Sequence, residues 1–559
     1  MQNSTSQAKD NQSLWALIAL GCWLALPPGL QAAASRSPKL PIVPKWDRFE
    51  QAFRSKVAYT NPLQQATLTV RFTSPLGEVS QVDGFWDGGR TWRVRFAPDQ
   101  AGRWTFRTAC SDPANRGLNG RTGEFLCTAP LGPNRFRQHG LVQVARDHRH
   151  LEHADGTPFF WLADTTWNGA RVSAPGDWAF YAQVRSDQQF TVAQWAVAPG
   201  TDSKGQSAFT VQASRISINP AFFQRLDAKL DTLSCAGILS AIVPLFERGA
   251  GSASGTPLPD DQAALLVRYL AARWGADPVA WLLAVDGEGQ GKNLGRWKRV
   301  GREVFGTGRH APVILYSGHT PWVADEFREE SWVDAFGQQC VTEMTEDALK
   351  WTFAGPAAKE WTRQPPRPLL WFLPLENSPA AQSPGRVTAD DVRRAAYWSL
   401  LLAPPAGISY GAQGVANWDV SPGPGTDKTR GAELPLWHKT LFLPGAKQMG
   451  LLAKLATSVD FWRLQPWPNA VADQPGDVSP SRQIVAAGTE AKDLALVYVP
   501  GGRTLALWIE ALPASPGVAW FNPRTGQSSG IVAAVADRAC QFPTPGPGDW
   551  VLVVKSGKK

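Results

Sequence analysis

Residues 41–130 alternate short apolar and polar positions in segments such as ATLTVRF, TWRVRF and RWTFRTA, broken by Gly- and Asp-rich turns that include DGG at 87–89. A period of two bounded by turn residues predicts strands, and several at short spacing predict an immunoglobulin-like β-sandwich. Residues 131–157 lose this pattern and read as a solvated linker; His148, His150 and His153 lie in it without the spacing of a metal site. From 158 to 455 the pattern becomes apolar strands alternating with helices. Eight strand-like segments follow: FFWLADTTW (159–167), FTVAQWA (190–196), ILSAIVPLF (238–246), VAWLLAVDG (279–287), PVILYSGH (312–319), WVDAFGQQ (332–339), PLLWFLPLE (368–376) and GISYGAQG (407–414). That number of βα units over this length predicts a (β/α)8 TIM barrel. Residues 460–559 return to strand alternation in LALVYVP, TLALWIEAL, VAWFNPRTG and WVLVVK, a second β-sandwich. The expected architecture is multidomain, α/β plus all-β, with a central barrel between two β-sandwich domains.

Two helices carry their boundaries in the sequence. Asn219-Pro220 opens a run in which Phe222, Phe223, Leu226, Leu230 and Leu233 recur at helical spacing until Gly237. Thr388, followed three residues later by Asp391, has the form of a capping box before an apolar stripe.

Composition narrows the classes. With 559 residues, 43% hydrophobic and 19% charged, the chain can bury several cores. Its formal net charge of +8 is scattered rather than gathered into a stripe, which argues against nucleic acid as a partner. The 26 Trp against 7 Tyr offer flat rings for ligands as well as cores. Residues 1–34 read as an export signal: apolar from 14 to 30, with Lys9 ahead of it and Ala32 and Ala34 as a small-x-small cleavage site. The ALGC stretch at Cys22 departs from a lipoprotein box at Ala19, so cleavage and release, periplasmic or extracellular, is expected rather than acylation, with no stable membrane insertion afterwards. Cys110 and Cys127 share the first β-region and could pair in an oxidising compartment, whereas Cys235, Cys340 and Cys540 read as small buried apolar residues. No CxxC, HExxH or phosphate loop occurs, so neither a metal nor another cofactor is implied, and no obligate protein partner is evident. GISYG has the form of a nucleophile elbow, but it coincides with the eighth barrel strand and no helix starts straight after Ser409.

A barrel collects its chemistry at the C-terminal ends of its strands. Those ends supply Asp164, Trp167, Gln194, Trp195, His319, Gln338, Trp371, Tyr410 and Gln413 as substrate-binding candidates. Asp286 after the fourth strand and Glu376 after the seventh form the candidate catalytic pair, with Glu247 and Glu288 in reserve. Two carboxyl groups facing one mouth suit hydrolysis of an acetal, where one protonates the leaving oxygen and the other attacks, activates water or stabilises the oxocarbenium ion.

GTPFFWLADTTW, NPAFFQRLDAKLD with GILSAIVPL, VRYLAARWGADPVAWLLAVDG, and DVRRAAYWSLLLAPPAGISYGAQG resemble the catalytic domain of apiosidase-like glycoside hydrolases over about 156–450. The first β-domain resembles the one that often precedes it, and WFNPRTG with GPGDWVLVV resembles the collagen-binding-like domain that commonly follows. The resemblance implies a carbohydrate substrate, cleavage in polysaccharide side chains, and an aspartate after strand four with a glutamate after strand seven as the acting pair, here Asp286 and Glu376. The chain has AVDGE where the family has Gly-Gly-Asp, and FLPLEN where it has Gly-Glu-Pro, so Leu373 takes the aligned glutamate position. Gln413 stands where relatives carry a strand-eight histidine. The alternative these departures raise is a noncatalytic carbohydrate- or matrix-binding protein with a degenerate barrel site.

Overall fold

The computed structural model describes residues 40–246, 258–284, 292–317, 322–340, 345–379, 385–403, 406–421, 435–531, 534–536 and 538–557. The leader with Cys22, and Glu247, Asp286, Glu288 and His319, lie outside the described residues.

All eight expected barrel strands are present: β1 (Trp161–Thr165), β2 (Val192–Ala198), β3 (Leu239–Leu245), β4 (Val279–Ala284), β5 (Val313–Ser317), β6 (Ala335–Gln339), β7 (Leu369–Phe372) and β8 (Gly407–Gly411). They pair in parallel and in chain order, and β8 closes on β1. Around them run α1 (Pro175–Asp187), α2 (Pro220–Cys235), α3 (Asp260–Trp274), α4 (Lys292–Phe305), α5 (Glu346–Ala354), α6 (Ala389–Leu402) and α7 (Pro444–Thr457).

Strand alternation splits the barrel residues between two cores. Trp161, Ala163, Val192, Leu239, Ala241, Leu282, Ile314, Leu370 and Phe372 fill the interior. Leu162, Trp195, Ile242, Trp281, Leu315, Trp371 and Tyr410 point the other way, into the layer beneath the helices. The α2 stripe packs there as its spacing predicts, and Gly237, at φ +75°, ends the helix in the left-handed region where glycine carries no Cβ penalty. Asn219 begins α2, but its side chain reaches Ser207 O at 3.2 Å instead of capping the helix. The capping box on α6 is complete: Thr388 N donates to Asp391 Oδ2 at 2.9 Å, and Asp391 N to Thr388 Oγ1 at 3.2 Å.

The segment expected to be a solvated linker is ordered. Helix Arg135–His139 and strands Val142–Val144, Leu151–His153 and Pro158–Phe159 form a plug, with Phe136, Val142, Leu151 and Phe159 in the interior barrel core. They seal its N-terminal end. His150 and His153 are buried, and His153 Nδ1 lies 2.7 Å from Gly140 O. Elements of two to five residues are too short to show a period, which is why the pattern missed them.

The β-rich regions on either side each have their own core. Arg95 and Arg273 clamp Asp227 from the N-terminal region and the barrel, at 2.9 and 2.6 Å. On the other flank Arg393 of α6 holds Asp549, 2.7 and 2.8 Å from its oxygens, and Tyr498 donates to the same carboxylate at 2.9 Å. Cys110 and Cys127 are unpaired. Cys127 stands opposite Gly102, eight residues along the strand from Cys110, so the two are roughly 26 Å apart, far beyond the reach of a disulfide. Cys235 is exposed rather than buried; Cys340 and Cys540 are buried as expected. Among the described residues no helix is long and apolar enough to cross a membrane.

Candidate active site

Register partners on neighbouring strands share a face, so the strand ends can be sorted by whether they look into the barrel or away from it. Thr165, in register with Gln194, and Ser409, in register with Ala163 and Phe372, look in. They form one buried polar chain. Thr165 Oγ1 donates to Gln194 Oε1 at 3.1 Å, Gln194 Nε2 donates to Ser409 Oγ at 2.8 Å, and Trp161 Nε1 donates to the same hydroxyl at 3.3 Å. Ser409 is therefore a strand residue facing the barrel core, not the nucleophile of an elbow.

Four aromatic side chains lie towards the C-terminal mouth. The Trp167 ring stands 5.2 Å from Phe246 and 6.4 Å from Tyr316, and Tyr316 stands 4.4 Å from Phe372. Tyr316 and Phe372 are buried, whereas Trp167 and Phe246 keep part of their surface open. The result is an apolar floor, partly open at Trp167 and Phe246, with Ser409 of the hydrogen-bonding chain in register with Phe372 beneath it. Only Trp167 and Gln194 of this set were expected from the sequence. Phe246, Tyr316, Phe372, Thr165 and Ser409 were missed, although counting every second residue along each strand would have found most of them.

The same sorting removes five expected residues from the mouth. Asp164, in register with Tyr410, faces α1, fully buried, and accepts from Arg185 Nε at 2.7 Å and Tyr181 OH at 2.8 Å. Burial pushes its carboxyl pKa up while Arg185 pulls it down. Trp195 packs on Trp274 of α3 at 5.7 Å, and Trp371 lies in the same outer layer, so neither is a sugar platform. Gln338, in register with Trp371, is fully buried and accepts from Ser317 Oγ at 3.1 Å. Tyr410 packs against Phe190 at 5.9 Å.

Glu376 goes with them. Its Oε2 accepts from Tyr410 OH at 2.6 Å and its Oε1 from the backbone N–H of Gly445 at 3.3 Å, at the start of α7. Only 3% of the residue is exposed. Burial raises its pKa, against the lowering effects of Tyr410, Gly445 and Arg185. A Cβ on Gly445 would collide with Glu376 Oε2, so the glycine leaves the space the carboxylate occupies. Both oxygens thus serve the joint between β8 and α7, so neither is left for a reacting group at the mouth. Gln413 is half-buried in the loop after β8, where its backbone N–H donates to Glu376 O at 2.9 Å. Among the described residues no group of three His, Cys, Asp or Glu side chains could hold a metal ion.

A closed parallel barrel, plugged below and floored with aromatic rings above, defines the class: a TIM-barrel protein flanked by β-rich regions. Residues 145–463, more than half of the chain, match the family model described as "Apiosidase-like, catalytic domain", and the chain belongs to that family. Residues 42–111 match a "Domain of unknown function (DUF5060)" and residues 469–555 a "Putative collagen-binding domain of a collagenase". Among solved structures the chain is similar to a "putative glycoside hydrolase" from Bacteroides vulgatus ATCC 8482 (19% identity, 92% of this chain and 100% of that one, TM-score 0.69). It is also similar to a protein described as "Glycoside hydrolase" (20% identity, 75% and 98%, TM-score 0.63). At such identities the likeness is one of fold. No curated protein matches the chain.

Proposed function

We propose that this protein is an exported glycoside hydrolase that cleaves glycosidic bonds in polysaccharide side chains at the C-terminal mouth of its barrel. The observation that carries this reading is the floor of Trp167, Phe246, Tyr316 and Phe372 over the Thr165–Gln194–Ser409 chain, in a member of the apiosidase-like family. Stacking on such rings holds a sugar face while polar groups at the rim fix its hydroxyls. Asp286, two residues past the end of β4, is the proposed general acid. Its partner is proposed to be Glu247, which directly follows Phe246 at the end of the neighbouring strand β3, or Glu288, because Glu376 already spends both oxygens on Tyr410 and Gly445. A carboxyl separation of about 5–5.5 Å would retain the anomeric configuration and about 6.5–9.5 Å would invert it.

The engaged Glu376 favours a second reading, a barrel that binds carbohydrate without cleaving it. Hydrolysis of a glycan panel by the wild type and by Asp286→Asn, Glu247→Gln and Glu288→Gln separates the two. Turnover lost in Asp286→Asn and in one of the glutamate variants supports the hydrolase, whereas binding without turnover on any glycan supports the second reading. N-terminal sequencing of the secreted protein tests export, with a start after Ala34 expected.

A further inference from the structure

The opposite end of the barrel holds a cleft of 690 Å³ between the plug, the C-terminal end of α2 and the last turn of α7. Arg135, Asn134, Thr157, Phe159, Cys235 and Thr457 line it, and its lining contains no carboxylate. Arg137 at its edge is paired with Asp47 at 3.1 Å. Arg135 is different: among the described residues its guanidinium has no hydrogen-bond or ion-pair partner, and burial alone lowers its pKa, with no acidic neighbour to offset it.

A guanidinium beside a helix end ordinarily satisfies the last carbonyls. Here those carbonyls are taken. Asn134 Nδ2 donates to Ser234 O at 2.7 Å and to Cys235 O at 3.4 Å, Ser186 Oγ donates to Ala236 O at 2.9 Å, and the N–H groups of Ala236, Gly237 and Ile238 close on Thr232, Ser234 and Leu233. Gly237 lies under the guanidinium, where an added Cβ would stand 3.5 Å from Arg135 Nε. The donors of Arg135 are left to the cleft.

We propose that this cleft is an oxyanion-binding site in which Arg135 grips a phosphate or a sugar carboxylate through paired N–H donors, remote from the hydrolytic mouth. A planar fork of donors matches either anion. Cys235 supplies the readout, because it is the exposed thiol in this lining while Cys110, Cys127, Cys340 and Cys540 are buried.

The test follows alkylation of Cys235 in the full-length protein by mass spectrometry. Inorganic phosphate and glucuronate are compared with glucose and with sodium chloride at matched ionic strength. The proposal expects one or both anions to slow alkylation severalfold, glucose and chloride to leave it unchanged, Arg135→Gln to abolish the protection and Arg137→Gln to keep it. Greater protection by glucuronate identifies an acidic sugar as the ligand, and greater protection by phosphate a free anion. Equal labelling under every wild-type condition overturns the proposal whether or not the variants fold, and so does undiminished protection in Arg135→Gln.

Discussion

Replacing Asp164 by alanine tests whether its carboxylate holds the β1–α1 layer together rather than serving the barrel mouth. Asp164 and Arg185 have side-chain exposures of 0% and 1% and meet at 2.7 Å. Arg185 Nη1 also reaches Gln188 Oε1 at 2.6 Å and Leu441 O at 2.8 Å, so without Asp164 the guanidinium keeps neutral acceptors but loses its counter-charge. Breaking a buried pair from one side costs about 3–5 kcal/mol, since the remaining charge stays in a poorly solvating interior. At about 2–4 °C per kcal/mol for a large domain, the expected loss is roughly 6–20 °C in Tm. Differential scanning fluorimetry at neutral pH reads the loss, and hydrolysis per folded molecule below the transition should stay near wild type. Removing both charges with Asp164→Leu and Arg185→Met should recover much of the stability. An unchanged Tm with turnover down a hundredfold or more would refute the sorting and return Asp164 to the substrate.

Other consequences concern charge and redox state. Burial raises the Asp277 carboxyl to about 6, against the attraction of Arg48 at 2.8 Å. An acid raised in the folded state contributes its stability below its unfolded pKa of about 3.9 and loses it as pH rises through 6, by up to about 3 kcal/mol. Urea midpoints of the wild type should therefore fall relative to Asp277→Asn between pH 4 and 7, and parallel profiles would contradict this. Glu376 titrates in the same direction, so the wild type should also lose ground to Glu376→Gln as pH climbs above the ordinary glutamate range; a widening wild-type advantage would show that the carboxylate is stabilised by its surroundings. Because Cys110 and Cys127 are held far apart by register, reducing agent should leave the Tm unchanged, and a drop on reduction would reveal a disulfide.

The barrel was legible because each of its strands is a short apolar run followed by a helix with readable ends, and the α6 capping box was legible to the residue. The site was less so, for a reason of geometry. The last residues of a strand alternate between the mouth and the helix layer, so collecting polar and aromatic strand ends mixed Trp167 and Gln194, which face inward, with Asp164, Trp195 and Tyr410, which face outward. Glu376 defeated the reading differently: it follows β7 in a segment without strand alternation, and only the positions of Tyr410 and Gly445 reveal where its oxygens go. The plug escaped notice because its elements span barely one period each.

Hydrolysis of a shared glycan substrate by wild type, Asp286→Asn and Glu376→Gln, each checked for folding by its unfolding midpoint, bears most directly on where the reaction takes place. Turnover should fall by about a hundredfold or more in Asp286→Asn, as for loss of a general acid, and persist in folded Glu376→Gln. Full turnover in Asp286→Asn, or its loss in a Glu376→Gln protein as stable as wild type, would contradict the account.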